Sequence, residues 1–329
     1  MFQYKKLIIS AFKVVLDNKY LWFFGFFAAF LVNGGFINQI YSGNNSGTMH
    51  NWQRLKETGV FDFSIINNII TLAQTDLSGL LLRITVLIVV LTLGLFIFWL
   101  AVVSQGALIK SVADIYNSKK SNFNLALKSG LVYFWPVFFF RLIERIIFMT
   151  IVALSGLIIV YSINYAQNLI FKVIFILIFV FLLLVAAFVF LSMRYAISFN
   201  IIENKRFIDA ILAGLKLLRT NIFMSFEMGV AIFLINAFLG FMALIIMSAM
   251  AIPLLLLMYL FYNLAFVVGL NFVLIMGTLL LFVGVGWVGS VLITFNDALW
   301  TIFFINLSQE RTVSRLSALI KFFTRQATG

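Results

Sequence analysis

The sequence has no cysteine, one histidine and two prolines in 329 residues, and only 10% of it is charged. Without cysteine there are no disulfides, thiolate metal sites or cysteine nucleophiles, and the redox compartment stays open. His50 alone cannot build an imidazole metal cluster. Catalysis needs a nucleophile with a base, a metal or paired carboxylates at a defined separation. No such constellation can be assembled, so the chain reads as non-enzymatic, with no catalytic, cofactor-binding or metal-ligating residues. Gly284, Gly286 and Gly289 spell G-x-G-x-x-G, but the dinucleotide motif requires a strand, a tight turn and a helix. These glycines interrupt an apolar run and read as a packing or break feature.

What the chain has instead is apolar length. Apolar residues make up 64% and aromatics 17%, and the mean hydropathy is +1.12. Water-soluble domains sit nearer half apolar and a quarter charged. Several stretches exceed the roughly 18 to 20 apolar residues that a helix needs to cross about 30 Å of hydrocarbon. Outer-membrane barrels show alternating segments of about 10 residues, whereas these blocks are unbroken. A backbone in lipid must satisfy its own hydrogen bonds. The reading is an all-α, polytopic helical membrane protein in one integral membrane domain, 1–329.

Residues 4–18 place Leu7, Ile8, Ala11, Phe12, Val15 and Leu16 at helical spacing, with Lys6, Lys13 and Asp17 elsewhere. This predicts an amphipathic helix, suited to lying in the plane of an anionic leaflet. A first span follows over about 20–40, with Gly25 and Ala29 as a small-xxx-small pair. The polar stretch 42–79 carries a short helix expected over 65–77. Span 2 covers about 80–109, and a weaker in-plane helix, NFNLALKSGL, lies at 122–131. Pro136 is expected to kink the entry to span 3, which runs to about Ile163, and span 4 covers about 169–193. From Ile222 to Leu307 there is almost no polar relief.

All but four of the 23 Lys and Arg, the exceptions being Arg54, Lys56, Arg83 and Lys172, fall in alternate loops and the two ends. The positive-inside rule then puts both termini in the cytoplasm and makes the number of spans even. SAFKVVLDN at 10–18 resembles AGLKLLRTN at 213–221, which suggests three units, 1–110, 111–194 and 195–307, each a basic in-plane helix followed by a two-span hairpin. Six spans are therefore expected, with eight as the alternative and the apolar surplus near Pro253 to Asn271 forming a re-entrant or in-plane segment. The formal charge of +12 belongs to a cytoplasmic membrane face and not to nucleic acid. The expected headgroup contacts are Lys5, Lys6, Lys13, Lys205, Arg206, Lys216 and Arg219, and the expected partners are anionic membrane lipids or a partner protein.

A charge at the centre of a spanning helix costs about 2.5 to 3.5 kcal/mol unless protonated, paired or hydrated. Glu227 and Asp297, with Asn296 beside the latter, are therefore expected to face the bundle interior at comparable depth. Arg141, Arg145 and Arg194 are candidate partners, and Glu144 shares a helix face with Arg141. The cluster reads either as a structural ion-pair group or as a polar site open to the cytoplasm.

An Arg closing one span (Arg194), then Glu203, Asp209-Ala210, an apolar-basic helix and Arg219-Thr220-Asn221 opening the next span resembles the membrane-domain family attached to some bacterial glycerophosphodiester phosphodiesterases, and its stand-alone six-span relatives. LDNKYLWFFG at 16–25 and ALWTIFFINL at 298–307 are similar to its other recurrent stretches. The chain lacks the appended catalytic barrel, so the resemblance implies a membrane module of lipid or envelope physiology without phosphodiesterase activity. The function expected is a lipid- or partner-binding scaffold in the cytoplasmic membrane, with a secondary transporter or channel as the alternative.

Overall fold

The structure, a computed structural model, describes residues 2–32, 74–164 and 169–309. The described residues contain nine helices and no strand: α1 (Phe2–Asp17), α2 (Tyr20–Val32), α3 (Leu77–Tyr116), α4 (Phe123–Val132), α5 (Phe134–Asn164), α6 (Leu169–Glu203), α7 (Phe207–Thr220), α8 (Ile222–Asn263) and α9 (Val267–Ser308). Residues 65–73 of the helix expected over 65–77, the far part of the first span and His50 lie outside the described residues. Four helices are long and apolar enough to cross a membrane, namely α3, α6, α8 and α9, and the α1–α2 pair, bent by 107°, makes a fifth if taken as one span. The chain forms two compact units, one of Phe27–Ala101 and one of Met1–Phe26 with Val102–Gly329. All packing between helices described below lies within the second.

Asp76 starts α3. Its carboxylate accepts from the Gly79 backbone N–H at 2.9 Å and the Ser78 hydroxyl at 3.0 Å, which satisfies donors that a helix N-terminus otherwise leaves open. The backbone bond first, then the hydroxyl, holds the Asp76 carboxyl below the ordinary carboxylate range. α4 is capped in the same way by Asn122, whose side chain accepts from Leu125 N–H at 2.9 Å. α7 has Asp209 in its first turn and Arg219 in its last, each opposing the nearer end of the helix dipole.

Burial is uneven along the long helices. In α9, Ser290 to Leu307 is almost wholly buried, whereas most of 267–289 is exposed; in α6 the change comes at Ser192, and in α3 at Leu100. The exposed part of each is roughly 23 residues, about 35 Å at 1.5 Å per residue, which matches a hydrocarbon layer. The buried part is covered by short helices: α1 packs on α9 and α7 on α6, while Gly130 of α4 sits against Val103 and Ala107 of α3.

This arrangement corrects the expected re-entrant segment. The helix of α8 runs through Pro253 to Asn263, a tight turn at Leu264–Phe266 with Ala265 at φ 50° follows, and α9 returns. The apolar surplus of 222–307 is used at the opposite end, in the buried run of α9. Pro136 is also corrected. It is the third residue of α5, in the first turn, where a missing N–H breaks no intrahelical bond. The helix of α6 continues past Arg194 to Glu203, so the span end expected at about 193 is not a helix end; it falls where the exposed part of α6 gives way to the buried part, at Ser192.

Candidate functional site

The buried polar residues converge where α3, α5, α6 and α9 meet. Arg194 Nη1 donates to Asp297 Oδ1 at 2.6 Å, and their side chains are only 8% and 1% exposed. Arg141 donates through Nε to Gln105 Oε1 at 2.8 Å and through Nη1 to Glu144, its neighbour one turn on. The two arginines and two acids balance in charge. Arg141, Arg194 and Asp297 border a void of about 10 Å³, lined also by Gln105, Ser198 and Thr301, among others. A space of that size holds nothing larger than one water molecule.

Sequence periodicity put Arg141 and Glu144 on one face, and the structure pairs them. It also brings Asp297 to Arg194. Glu227 goes elsewhere: its Oε2 accepts the Tyr4 hydroxyl at 2.5 Å, so the expected shared site for the two acids does not form. Asn296 is half-buried with its Oδ1 buried, and Arg145 is exposed. Gln105, 1% exposed, was missed because an uncharged amide in an apolar helix carries no signal of its own. Tyr195 was missed too; its hydroxyl lies 2.7 Å from Ser225 Oγ, joining α6 to α8. Gly284, Gly286 and Gly289 lie inside the continuous helix α9, with no turn to cradle a phosphate.

The basic residues on short helices are at the surface. Lys5, Lys6, Lys13, Arg206, Lys216 and Arg219 are exposed, and Lys205 is half-buried, 3.0 Å from Glu203 and over the Phe199 ring at 3.9 Å. Lys205 and Lys216 border a cleft of about 450 Å³ that also takes in Phe199, Leu217, Asn221 and Leu307. α1 and α7 each show a second apolar face beside these cations. Ile9 is 54% and Leu16 55% exposed on α1, and Ile208 is 69% and Leu212 60% exposed on α7.

Among the described residues no group of three His, Asp or Glu side chains stands close enough to hold a metal. No protein-family model matches the sequence, and neither a curated protein nor a solved structure matches it.

Proposed function

We propose that this chain is a non-enzymatic, six-span protein of the cytoplasmic membrane, with both termini cytoplasmic, that binds anionic lipid or a partner protein as a scaffold in membrane or envelope homeostasis. The spans are α2, α3, α5, α6, α8 and α9; Ile146–Ile163 of α5 contains no charged residue. The observation that carries the reading is the double-sidedness of α1 and α7. Each buries one face on a long helix and leaves Ile9 and Leu16, or Ile208 and Leu212, in the open beside Lys13 or Lys216. A helix that faced water would lose by that exposure, whereas one lying in a headgroup layer gains by it. Membership of the membrane-domain family that the Arg194–Asn221 stretch resembles fits the same role.

The sealed charge cluster favours a scaffold over a transporter. Arg194 and Asp297 are engaged with each other, and the space beside them holds no solute. The transporter reading draws on the same residues, since ionised side chains inside spans commonly mark ion or proton paths.

Native mass spectrometry of protein extracted from mixed-lipid membranes separates these readings when joined to proteoliposome flux. A scaffold retains anionic over zwitterionic lipid, loses that preference when Lys13, Lys216 and Arg219 become Gln, and passes no ions. Each cation near an anionic surface contributes about 1 kcal/mol. Equal retention of both lipid classes, unaffected by the three substitutions, overturns the lipid-binding role. Flux in the parent that stops on Asp297→Asn, and that stays absent in the refolded double variant Arg194→Met with Asp297→Leu, replaces it with transport.

A further inference from the structure

We infer that, within the compact unit of Met1–Phe26 and Val102–Gly329, the helices dock as a closed ring of three equivalent units, and that Gln105, Arg194 and Asp297, one from each unit, meet on its axis and set which unit docks where. Each unit is a short helix followed by two long ones: α1 with α2 and α3, α4 with α5 and α6, α7 with α8 and α9.

The short helices share a register. Phe123, Ala126 and Gly130 of α4 stand at the spacing of Phe207, Ala210 and Gly214 of α7, and of Tyr4, Leu7 and Ala11 of α1. The second and third members of every set are buried. Their docking partners match as well. A methyl group added at Gly214 would lie 2.8 Å from the Ser192 carbonyl oxygen and 2.9 Å from the Ala196 nitrogen, and one added at Gly130 would strike the Val103 carbonyl and come within 3.1 Å of Ala107 Cβ. Counted from Arg194 and Gln105, Ser192 and Val103 are both two residues before, and Ala196 and Ala107 both two after. α1 docks correspondingly on α9, with Phe12 against Phe295, two residues before Asp297, at 4.3 Å between ring centroids.

The first residue of each triplet repeats the pattern. Phe123 stacks on Phe24 at 5.1 Å, Phe207 stacks on Phe140 at 4.3 Å, and Tyr4 reaches Glu227. In every case a short helix lies on the two long helices of another unit: the second on the first, the third on the second, the first on the third. Three such steps close a ring. The helices α3, α6 and α9 then surround one axis in common register, as the lining of the small void records: Gln105 and Ile109, Arg194 with Ile197 and Ser198, and Asp297 with Trp300 and Thr301, joined from the side by Arg141 of α5, which holds Gln105. Seven residues beyond each polar position, Val112, Ile201 and Phe304 are at most 1% exposed.

Three surfaces so alike would dock interchangeably if all were apolar. A neutral amide, a cation and an anion at the three equivalent places make them distinct, as a single polar residue fixes register in a coiled coil.

The native chain has no cysteine, so paired thiols can be placed without background. In full-length protein in membranes, the pairs V112C/I201C, I201C/F304C and V112C/F304C are each treated with a short bifunctional thiol reagent. All three cross-link if the residues ring an axis; cross-linking of only two pairs overturns the closed ring. For the key itself, Q105D/R194Q/D297R moves the three side chains one place around the axis and keeps at position 105 an acceptor for Arg141 Nε. Its melting temperature stays within a few degrees of the parent, whereas R194D, which sets two acids on the axis, yields no folded protein. A rotated variant as damaged as R194D overturns the assigned role of the three residues.

Discussion

The Tyr4 hydroxyl in the first turn of α1 donates to Glu227 near the start of α8, across 223 positions of sequence and 2.5 Å of space. The bond ties α1 to α8, one of the last two helices among the described residues. This donor satisfies one acceptor of an acid that lies inside an apolar helix. Tyr4→Phe removes one charge-assisted bond, worth about 1.5 to 3 kcal/mol. The melting temperature of purified protein in detergent therefore falls. Glu227→Gln keeps an acceptor for the hydroxyl and loses less.

Arg194 and Asp297 should behave as a unit. Asp297→Asn leaves a buried guanidinium without its counter-charge, at a cost of about 3 to 5 kcal/mol. The double change Arg194→Met with Asp297→Leu removes both ions, and its stability returns toward that of the parent. Denaturation of the three variants in matched micelles measures the coupling. A double variant as weak as Asp297→Asn would show that the pair does not act through its charges.

Gly214 and Gly229 make opposite predictions from the same substitution. A methyl group on Gly214 meets the backbone of α6 at 2.8 and 2.9 Å, and backbone cannot step aside. Gly214→Ala should destabilise the fold by about 1 to 3 kcal/mol. A methyl group on Gly229 meets nothing within 4 Å, so Gly229→Ala stabilises helix α8 by up to about 1 kcal/mol. Thermal melts of the two variants side by side check the sign of each.

Asp76 gives a pH-dependent prediction. The Gly79 N–H and the Ser78 hydroxyl lower its pKa relative to the unfolded chain. Its capping contribution is therefore fully present above the unfolded pKa and disappears as pH falls through the lowered folded value. Hydrogen exchange at the Gly79 amide should accelerate in that acidic window. With Asp76→Ala it should be fast at every pH.

Helical periodicity carried much of the fold: the helix expected at 4–18 is α1, and the amphipathic stretch before Asn221 is α7. What fell outside that reading depended on partners remote in sequence. Asp297 was expected to meet an arginine, but nothing in the sequence selects Arg194, 103 positions away, over Arg141 or Arg145. Nothing near Glu227 points to Tyr4. The placement of the apolar surplus erred for a related reason. A run such as Ser290 to Leu307 is equally apolar whether lipid or protein surrounds it, and only the docking of α1 shows that it is protein. Arg141 with Glu144 was readable because both partners lie within one turn.

The hairpins α5–α6 and α8–α9 each bring the chain back to the end from which it set out, where the short helices lie. Parity follows from that return. Under the proposed topology, removing or adding one such hairpin whole would leave every later helix pointing the same way.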